Sequence, residues 1–107
     1  MTDRGRILVV DDEPSARSAL HQLLSLEGYE VESAADGRAA LLKLSAFEPD
    51  VVLTDLKMPG IDGLTLVEQG RAESPHTAFL VMTAFGSVDS AVAAIRLGAE
   101  NYLTKPL

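Results

Sequence analysis

The sequence of 107 residues contains no cysteine and no tryptophan, and only 5% of its residues are aromatic. Without cysteine the chain cannot form a disulfide scaffold, a thiolate metal site or a cysteine nucleophile. Positive charge is also scarce, because 9 lysines and arginines stand against 16 aspartates and glutamates, which gives a formal charge of −7. Phosphate backbones and anionic lipids attract positive charge, so we expect no direct binding of this segment to nucleic acid or to a membrane.

Long hydrophobic runs are absent from the sequence as well. The first apolar block, residues 7–10, has only four residues, far fewer than the core of a signal peptide or a membrane span requires. We therefore expect a cytoplasmic protein. A length of 107 residues with 47% hydrophobic residues fits one compact domain covering residues 1–107.

Five short blocks have the character of strands. Residues 7–10, 51–53 and 78–82 are continuous apolar runs, as expected of strands that are buried on both faces of a parallel sheet. Residues 30–33 alternate between polar and apolar side chains, which is typical of an edge strand, and residues 101–104 are a fifth candidate.

Segments with helical spacing separate these blocks. In the first, Ala16, Leu20, Leu23 and Leu24 fit one helical face, and Leu64 and Val67 begin a weaker third helix. Pro14 and Gly28 mark the start and the end of the first helix. Asp36 and Pro49 do so for the second helix, and Ser87 and Gly98 for the fourth. Strict alternation of strand and helix predicts an α/β domain with a doubly wound, five-stranded parallel sheet.

The end of the sequence departs from this pattern. Lys105, Pro106 and Leu107 follow the fifth strand directly, and no helix comes after them. A doubly wound sheet is covered on both faces. We therefore expect a natural chain that is longer and is cut here before its fifth helix, with part of one sheet face left bare.

Polar side chains follow the central strands where each strand ends. They are Asp11 and Asp12 after the first strand, Asp55 closing the third, Thr83 closing the fourth and Lys105 closing the fifth. Ligands of open parallel sheets bind at the carboxyl ends of the strands, where neighbouring connections diverge to opposite faces. We therefore expect these five side chains to meet at one rim of the sheet.

The chemistry of these residue types points to a phosphoryl site. Three crowded carboxylates repel one another, and Mg²⁺ is the divalent cation that suits hard oxygen ligands with room for water. An aspartate beside such a cation can act as a nucleophile toward a phosphoryl group. Lys105 would supply a second cation, and the Thr83 hydroxyl would donate to a phosphoryl oxygen.

Each of these residues also has an ordinary structural interpretation. Residues 11–14 alone are compatible with an acidic turn that caps the first helix. Thr83 alone is compatible with a simple strand end, and Lys105 with a solvated surface charge. Only their joint occurrence favours a functional site.

Four motifs together resemble the receiver domains of two-component response regulators. They are ILVVDDE at residues 7–13, the segment 50–63 around Asp55, VMTA at residues 81–84 and GAENYLTKP at residues 98–106. Residues 83–87 and 101–107 further resemble receivers of NtrC-type transcriptional activators. The resemblance implies a flavodoxin-like sheet with the strand order 2-1-3-4-5.

The resemblance also implies roles for the rim residues. Asp55 would be the phosphoacceptor, which takes a phosphoryl group from a sensor histidine kinase in a Mg²⁺-dependent step. Asp11 and Asp12 would hold the metal together with Asp55, and the backbone carbonyl of Lys57 would be a further ligand. Lys105 would pair with the phosphoryl oxygens.

A conformational switch is implied as well. Thr83 would move toward the phosphorylated Asp55, and Tyr102 would turn inward, which changes the surface formed by the fourth helix and the fifth strand. The output would be control of transcription through a domain beyond the C-terminus. A second copy of the chain would be a further partner, in a homodimer. The domain would not be an enzyme beyond catalysing its own phosphoryl transfer and slow dephosphorylation.

Two rival functions remain open. A phosphohydrolase with an aspartyl-phosphate intermediate commonly carries a second aspartate two residues after the nucleophile, but Lys57 stands there. A pseudo-receiver, which binds partners without being phosphorylated, typically lacks one of the pocket residues, and none is lacking here. Both rivals are therefore disfavoured.

Overall fold

The computed structural model describes residues 5–58, 60–83 and 88–104, and the side chains of residues 83, 88–91, 102 and 104 lie outside this description. Strands and helices alternate strictly along the described part of the chain. The strands are β1 (Arg6–Val10), β2 (Glu30–Ala34), β3 (Val51–Asp55), β4 (Ala78–Thr83) and β5 (Asn101–Thr104). The helices are α1 (Pro14–Leu26), α2 (Gly37–Phe47), α3 (Gly63–Glu73) and α4 (Val88–Arg96).

The five strands form one parallel sheet with the order β2-β1-β3-β4-β5. This order confirms the predicted doubly wound, flavodoxin-like α/β fold and places β2 at an edge, as its polar alternation indicated. The chain moves to one side of β1 to form β2 and to the other side to form β3. The rim between β1 and β3 is therefore the point where the connections diverge.

Two neighbouring residues of β2 show that the helices lie on both faces of the sheet. Glu32 pairs with Lys43 of α2 at 3.3 Å, whereas the Ser33 hydroxyl lies 2.7 Å from Nδ1 of His21 in α1. Adjacent side chains of a strand point to opposite faces. Helices α1 and α2 therefore cover opposite faces of the sheet.

The main core lies between the sheet and helices α2, α3 and α4. From the strands it contains Leu8, Val10, Val52, Phe79 and Val81, all with no exposed surface. From the helices it contains Ala40, Leu44, Phe47, Leu66, Val67 and Ala94. This packing fixes β1, β3 and β4 relative to one another, and their carboxyl ends carry the predicted site.

The helix starts follow the capping rules that the sequence indicated. The side chain of Asp36 accepts a hydrogen bond from the backbone N–H of Ala39 at 2.8 Å, which confirms the predicted cap of α2. Ser87, the predicted cap of α4, lies outside the described residues. On α1, Leu23 is 56% exposed, although its spacing placed it on the same face as Leu20 and Leu24. No helix in the described part of the chain has the length and apolar character needed to cross a membrane.

Candidate functional site

Three carboxylates meet at the carboxyl rim of the sheet. Asp11 follows β1 directly and Asp55 is the last residue of β3, the strand beside it. Because Val10 is paired with Thr54, Asp11 and Asp55 leave the sheet at the same level. Asp12 completes the group, and one carboxylate oxygen from each of the three lies within 4.8 Å of the others. We call these three residues the acidic cluster.

Asp11 is held from three directions. It is completely buried, and its Oδ1 accepts a hydrogen bond from the backbone N–H of Glu13 at 3.0 Å. Its own backbone N–H donates to the carbonyl of Ala34 at 3.2 Å. Its carbonyl accepts a hydrogen bond from Nη1 of Arg17 at 2.9 Å. These contacts fix the Asp11 carboxylate at the base of the acidic cluster.

The acidic residues after β1 therefore have different roles. Glu13, not Asp11 or Asp12, caps α1, since its Oε1 accepts from the backbone N–H of Ala16 at 2.8 Å. The interpretation of the turn as a helix cap is correct for Glu13 alone. Asp11 and Asp12 belong to the acidic cluster instead.

The peptide that follows Asp55 is also fixed at both of its polar atoms. The carbonyl of Asp55 accepts a hydrogen bond from the Thr54 hydroxyl at 2.9 Å. The backbone N–H of Leu56 donates to the carbonyl of Met82 in β4 at 3.1 Å. Helix α3 begins directly against this peptide, because a Cβ atom at Gly63 would lie 2.4 Å from the Asp55 carbonyl oxygen.

Two residues of this site were not found from the sequence. Arg17 acts on the cluster from the first turn of α1, six positions after Asp11. The signal that indicates it is an arginine at the start of the helix that directly follows the aspartate pair. Thr54 was hidden in an apolar strand, where a hydroxyl next to Asp55 was the only signal.

The donor set of the acidic cluster fits a hard divalent cation. All three residues offer carboxylate oxygens, the ligand type that Mg²⁺ prefers. Oxygens that share one octahedral Mg²⁺ lie up to about 4 Å apart. The oxygens of the acidic cluster, which all lie within 4.8 Å of one another, are close to that spacing.

The other predicted site residues are placed by their backbone. Thr83 is the last residue of β4, one position beyond Met82, which is paired with Asp55. Thr83 is itself paired with Thr104 of β5, but its side chain lies outside the described residues. Lys105 also lies outside the described residues, and so does the side chain of Tyr102. Lys57 is exposed and follows β3 by two residues.

A family model for the response regulator receiver domain matches residues 7–107. This chain belongs to that family. The matched residues include the acidic turn, Asp55, Thr83 and Lys105. The family assignment made from the four motifs is thus confirmed.

Curated relatives agree with this assignment. The regulatory protein AtoC of Escherichia coli is 42% identical over 106 residues, which are 99% of this chain and 23% of AtoC. The response regulator MprA of Mycolicibacterium vanbaalenii is 46% identical over 101 residues, 94% of this chain and 44% of MprA. The chain therefore spans less than half the length of these relatives.

Solved structures show the same fold. NtrX from Brucella abortus, in complex with ATP, superposes with a TM-score of 0.92 at 34% identity, covering 98% of this chain and 24% of that one. The chemotaxis protein CheY4 of Vibrio cholerae gives a TM-score of 0.91 at 36% identity, covering 98% and 89%. The likeness to AtoC and NtrX confirms the predicted resemblance to receivers of NtrC-type regulators.

Proposed function

We propose that this domain is a phosphorylation-activated switch in which Asp55 accepts a phosphoryl group in a Mg²⁺-dependent step. The observation that carries the proposal is the convergence of Asp11, Asp12 and Asp55 within 4.8 Å at the carboxyl rim of the sheet. Asp55 is half-buried, whereas Asp11 is completely buried. Asp55 is therefore the more accessible of the two carboxylates that the central strands hold in place.

The three carboxylates divide the work between binding and reaction. Asp11 and Asp12 would hold Mg²⁺ with Asp55, and the Lys57 carbonyl would be a further ligand. When bound, the cation neutralises the carboxylates and the oxygens of the incoming phosphoryl group. The backbone N–H of Glu13 holds the Asp11 carboxylate in place through its 3.0 Å hydrogen bond.

The proposed reaction transfers a phosphoryl group from a nitrogen of the donor phosphohistidine to a carboxylate oxygen of Asp55. A carboxylate oxygen of Asp55 forms the new P–O bond while the P–N bond of a donor phosphohistidine breaks, and the imidazole leaves with the electron pair and takes up a proton. The donor would be a sensor histidine kinase. Lys105 would pair with the phosphoryl oxygens, and Thr83 would donate its hydroxyl to one of them.

Two pieces of the backbone support these last roles. Thr83 ends β4 one position beyond Met82, the residue that is paired with Asp55. Thr104, paired with Thr83, directly precedes Lys105 in the chain. The strand that ends in Thr83 and the strand whose last residue precedes Lys105 in the sequence both lie on the far side of β3 from β1.

The output surface would be formed by α4 and β5. Val92 and Ile95 of α4 are 42% and 40% exposed, and Leu103 of β5 is 37% exposed, so this region presents apolar side chains to solvent. A phosphoryl group adds nearly two negative charges and shifts an existing equilibrium by a few kcal/mol. Thr83 and Tyr102 would transmit that shift, and an output domain or a second copy of the chain would read it.

A mass measurement tests the proposal. The protein is incubated with Mg²⁺ and acetyl phosphate, whose P–O bond breaks as acetate leaves. We expect one phosphoryl adduct in the wild type, none in Asp55→Asn and none in the presence of EDTA. The matched control is Asp36→Asn, which removes the same charge and keeps the cap of α2, because asparagine caps as well as aspartate.

The same experiment separates the rival functions. A phosphohydrolase would release phosphate over many turnovers without a lasting adduct. A pseudo-receiver would give no adduct in any variant. An adduct that persists in Asp55→Asn would contradict the assignment of the phosphoacceptor.

A further inference from the structure

Thr54 is a polar residue in an apolar layer. It has no exposed surface and is paired with Val10 of β1 on one side and Val81 of β4 on the other, both completely buried. A hydroxyl in such surroundings is unfavourable unless it makes a hydrogen bond, and valine has nearly the same shape. The fold alone therefore does not explain a threonine here.

The hydrogen bond of Thr54 explains it. Its hydroxyl donates to the carbonyl of Asp55 at 2.9 Å, the peptide oxygen next to the proposed phosphoacceptor. The other polar atom of that peptide, the N–H of Leu56, is held by the carbonyl of Met82 at 3.1 Å. Among the described residues, no buried side-chain nitrogen or oxygen lacks a hydrogen-bond partner, and the Thr54 hydroxyl has its partner in the Asp55 carbonyl.

Helix α3 restricts the same carbonyl from the other side. Gly63 lies so close that a Cβ atom there would be 2.4 Å from the Asp55 oxygen and 2.6 Å from the Cα of Leu56. The N–H of Gly63 also donates to the carbonyl of Leu56 at 2.9 Å. A peptide held in this way cannot rotate freely, and the direction of the Asp55 side chain depends on its orientation.

We propose that Thr54 is a positioning residue, whose hydroxyl fixes the Asp55 carbonyl and thereby keeps the Asp55 carboxylate directed into the acidic cluster. The inference rests on the proposed function for its kinetic consequence. Its consequence for metal binding does not depend on phosphorylation. Groups that orient a ligating or reacting side chain typically affect affinity or activity by about 10- to 100-fold.

The test compares Thr54→Val, which keeps the shape, with Thr54→Ser, which keeps the hydroxyl. Mg²⁺ affinity is measured by titration calorimetry, and the initial rate of adduct formation is measured with saturating Mg²⁺ and acetyl phosphate. For Thr54→Val we expect a loss of about tenfold in both quantities. For Thr54→Ser we expect values within about twofold of the wild type.

The matched control is Thr77→Val at the opposite end of the sheet. Thr77 is also a buried threonine, 3% exposed, whose hydroxyl donates to the carbonyl of Pro49 at 2.9 Å and lies 2.5 Å from the Ser74 hydroxyl. We expect Thr77→Val to lower the melting temperature without changing Mg²⁺ affinity or rate. We expect Thr54→Val to change the melting temperature by less than about 5 °C.

Each outcome decides the proposal. Unchanged Mg²⁺ affinity in Thr54→Val, or an equal loss in Thr54→Ser, overturns it, because the hydroxyl would then not matter. A fall of more than about 5 °C in the melting temperature of Thr54→Val with unchanged Mg²⁺ affinity would assign the hydroxyl to the fold alone and also overturns it. If the wild type forms no adduct but Thr54→Val binds Mg²⁺ more weakly, the proposed function fails while the positioning role stands.

Discussion

The two ends of the sheet carry their charges in opposite ways. At the amino end, the backbone N–H of Arg6 donates to Oδ2 of Asp50 at 2.8 Å, and its guanidinium pairs with Glu30 at 3.3 Å and donates to the carbonyl of Phe47 at 2.9 Å. At the carboxyl end, three carboxylates lie within 4.8 Å of one another. The same strands thus connect an end where opposite groups are matched to an end where like charges are gathered.

The difference suggests that the charges at the amino end stabilise the fold, whereas those at the carboxyl end serve the binding of a cation. Two like charges at that spacing repel by about 1 kcal/mol even at the dielectric constant of water. The fold tolerates this repulsion because the core between the sheet and helices α2, α3 and α4 holds the strands in place. A bound cation would remove the repulsion, so the carboxyl end should respond to Mg²⁺ and the amino end should not.

The largest effect is expected where the carboxyl end depends on close backbone contact. Gly63→Ala places a Cβ atom 2.4 Å from the Asp55 carbonyl oxygen, and we expect a loss of about 3 kcal/mol in the free energy of unfolding, measured in urea. The control is Gly60→Ala in the loop before α3, where a Cβ atom would meet no atom within 4 Å. Its φ of +76° predicts a loss of only about 1 kcal/mol. Equal losses would show that the contact with Asp55 is not tight.

The amino end is tested by Arg6→Ala. This change removes the hydrogen bond to Phe47, the ion pair with Glu30 and the contact of the guanidinium with the Phe47 ring at 5.7 Å. We expect a loss of about 1 to 2 kcal/mol in stability and no change in Mg²⁺ affinity. Arg38→Ala, an exposed substitution in α2 with the same charge change, is the control. A weaker affinity for Mg²⁺ in Arg6→Ala alone would show that the two ends are coupled.

Asp12→Asn is expected to change stability in the opposite direction. Removing one charge from the acidic cluster relieves repulsion, so the variant should be more stable than the wild type by about 1 kcal/mol when Mg²⁺ is absent. Its stabilisation by added Mg²⁺ should be smaller, because a ligand that binds only the folded state stabilises it according to its affinity. Thermal melts with and without Mg²⁺ measure both effects, with Asp36→Asn as the charge-matched control. A loss of stability without Mg²⁺ would contradict the repulsion.

The arrangement of strands and helices was predictable because it follows from hydrophobic patterning. The predicted range of β5, residues 101–104, is the range in the structure, and the edge position of β2 followed from its alternation. The apolar run of β3 stops at Leu53, but the prediction that Asp55 closes this strand is confirmed. Thr54 and Asp55 are polar, yet the ladder continues through them because β4 pairs with both. Leu23 is apolar and lies on the predicted helical face, yet it is exposed. Helical spacing identifies an apolar face but does not show which of its residues pack against the sheet.

The acidic cluster was predictable because aspartates after neighbouring parallel strands must converge at one rim. Its supports were not predictable in the same way. The hydrogen bond from Arg17 to the Asp11 carbonyl and the one from Thr54 to the Asp55 carbonyl involve backbone oxygens. Every residue has a backbone carbonyl oxygen, so the sequence does not show which of them accepts a hydrogen bond from a side chain. The close approach of Gly63 to Asp55 depends in the same way on how α3 packs against β3.

The smallest effect is expected for the pair between Lys43 of α2 and Glu32 of β2. Its charges are opposite and 3.3 Å apart, but both side chains are well exposed, at 38% and 46%. Water and salt screen such pairs, and ordering two long side chains costs entropy, so a double-mutant cycle with Lys43→Gln and Glu32→Gln should give a coupling of about 0.5 kcal/mol or less. A coupling above about 1 kcal/mol would place this pair beside the matched charges of the amino end, and charge matching would then stabilise the middle of the sheet as well as its end.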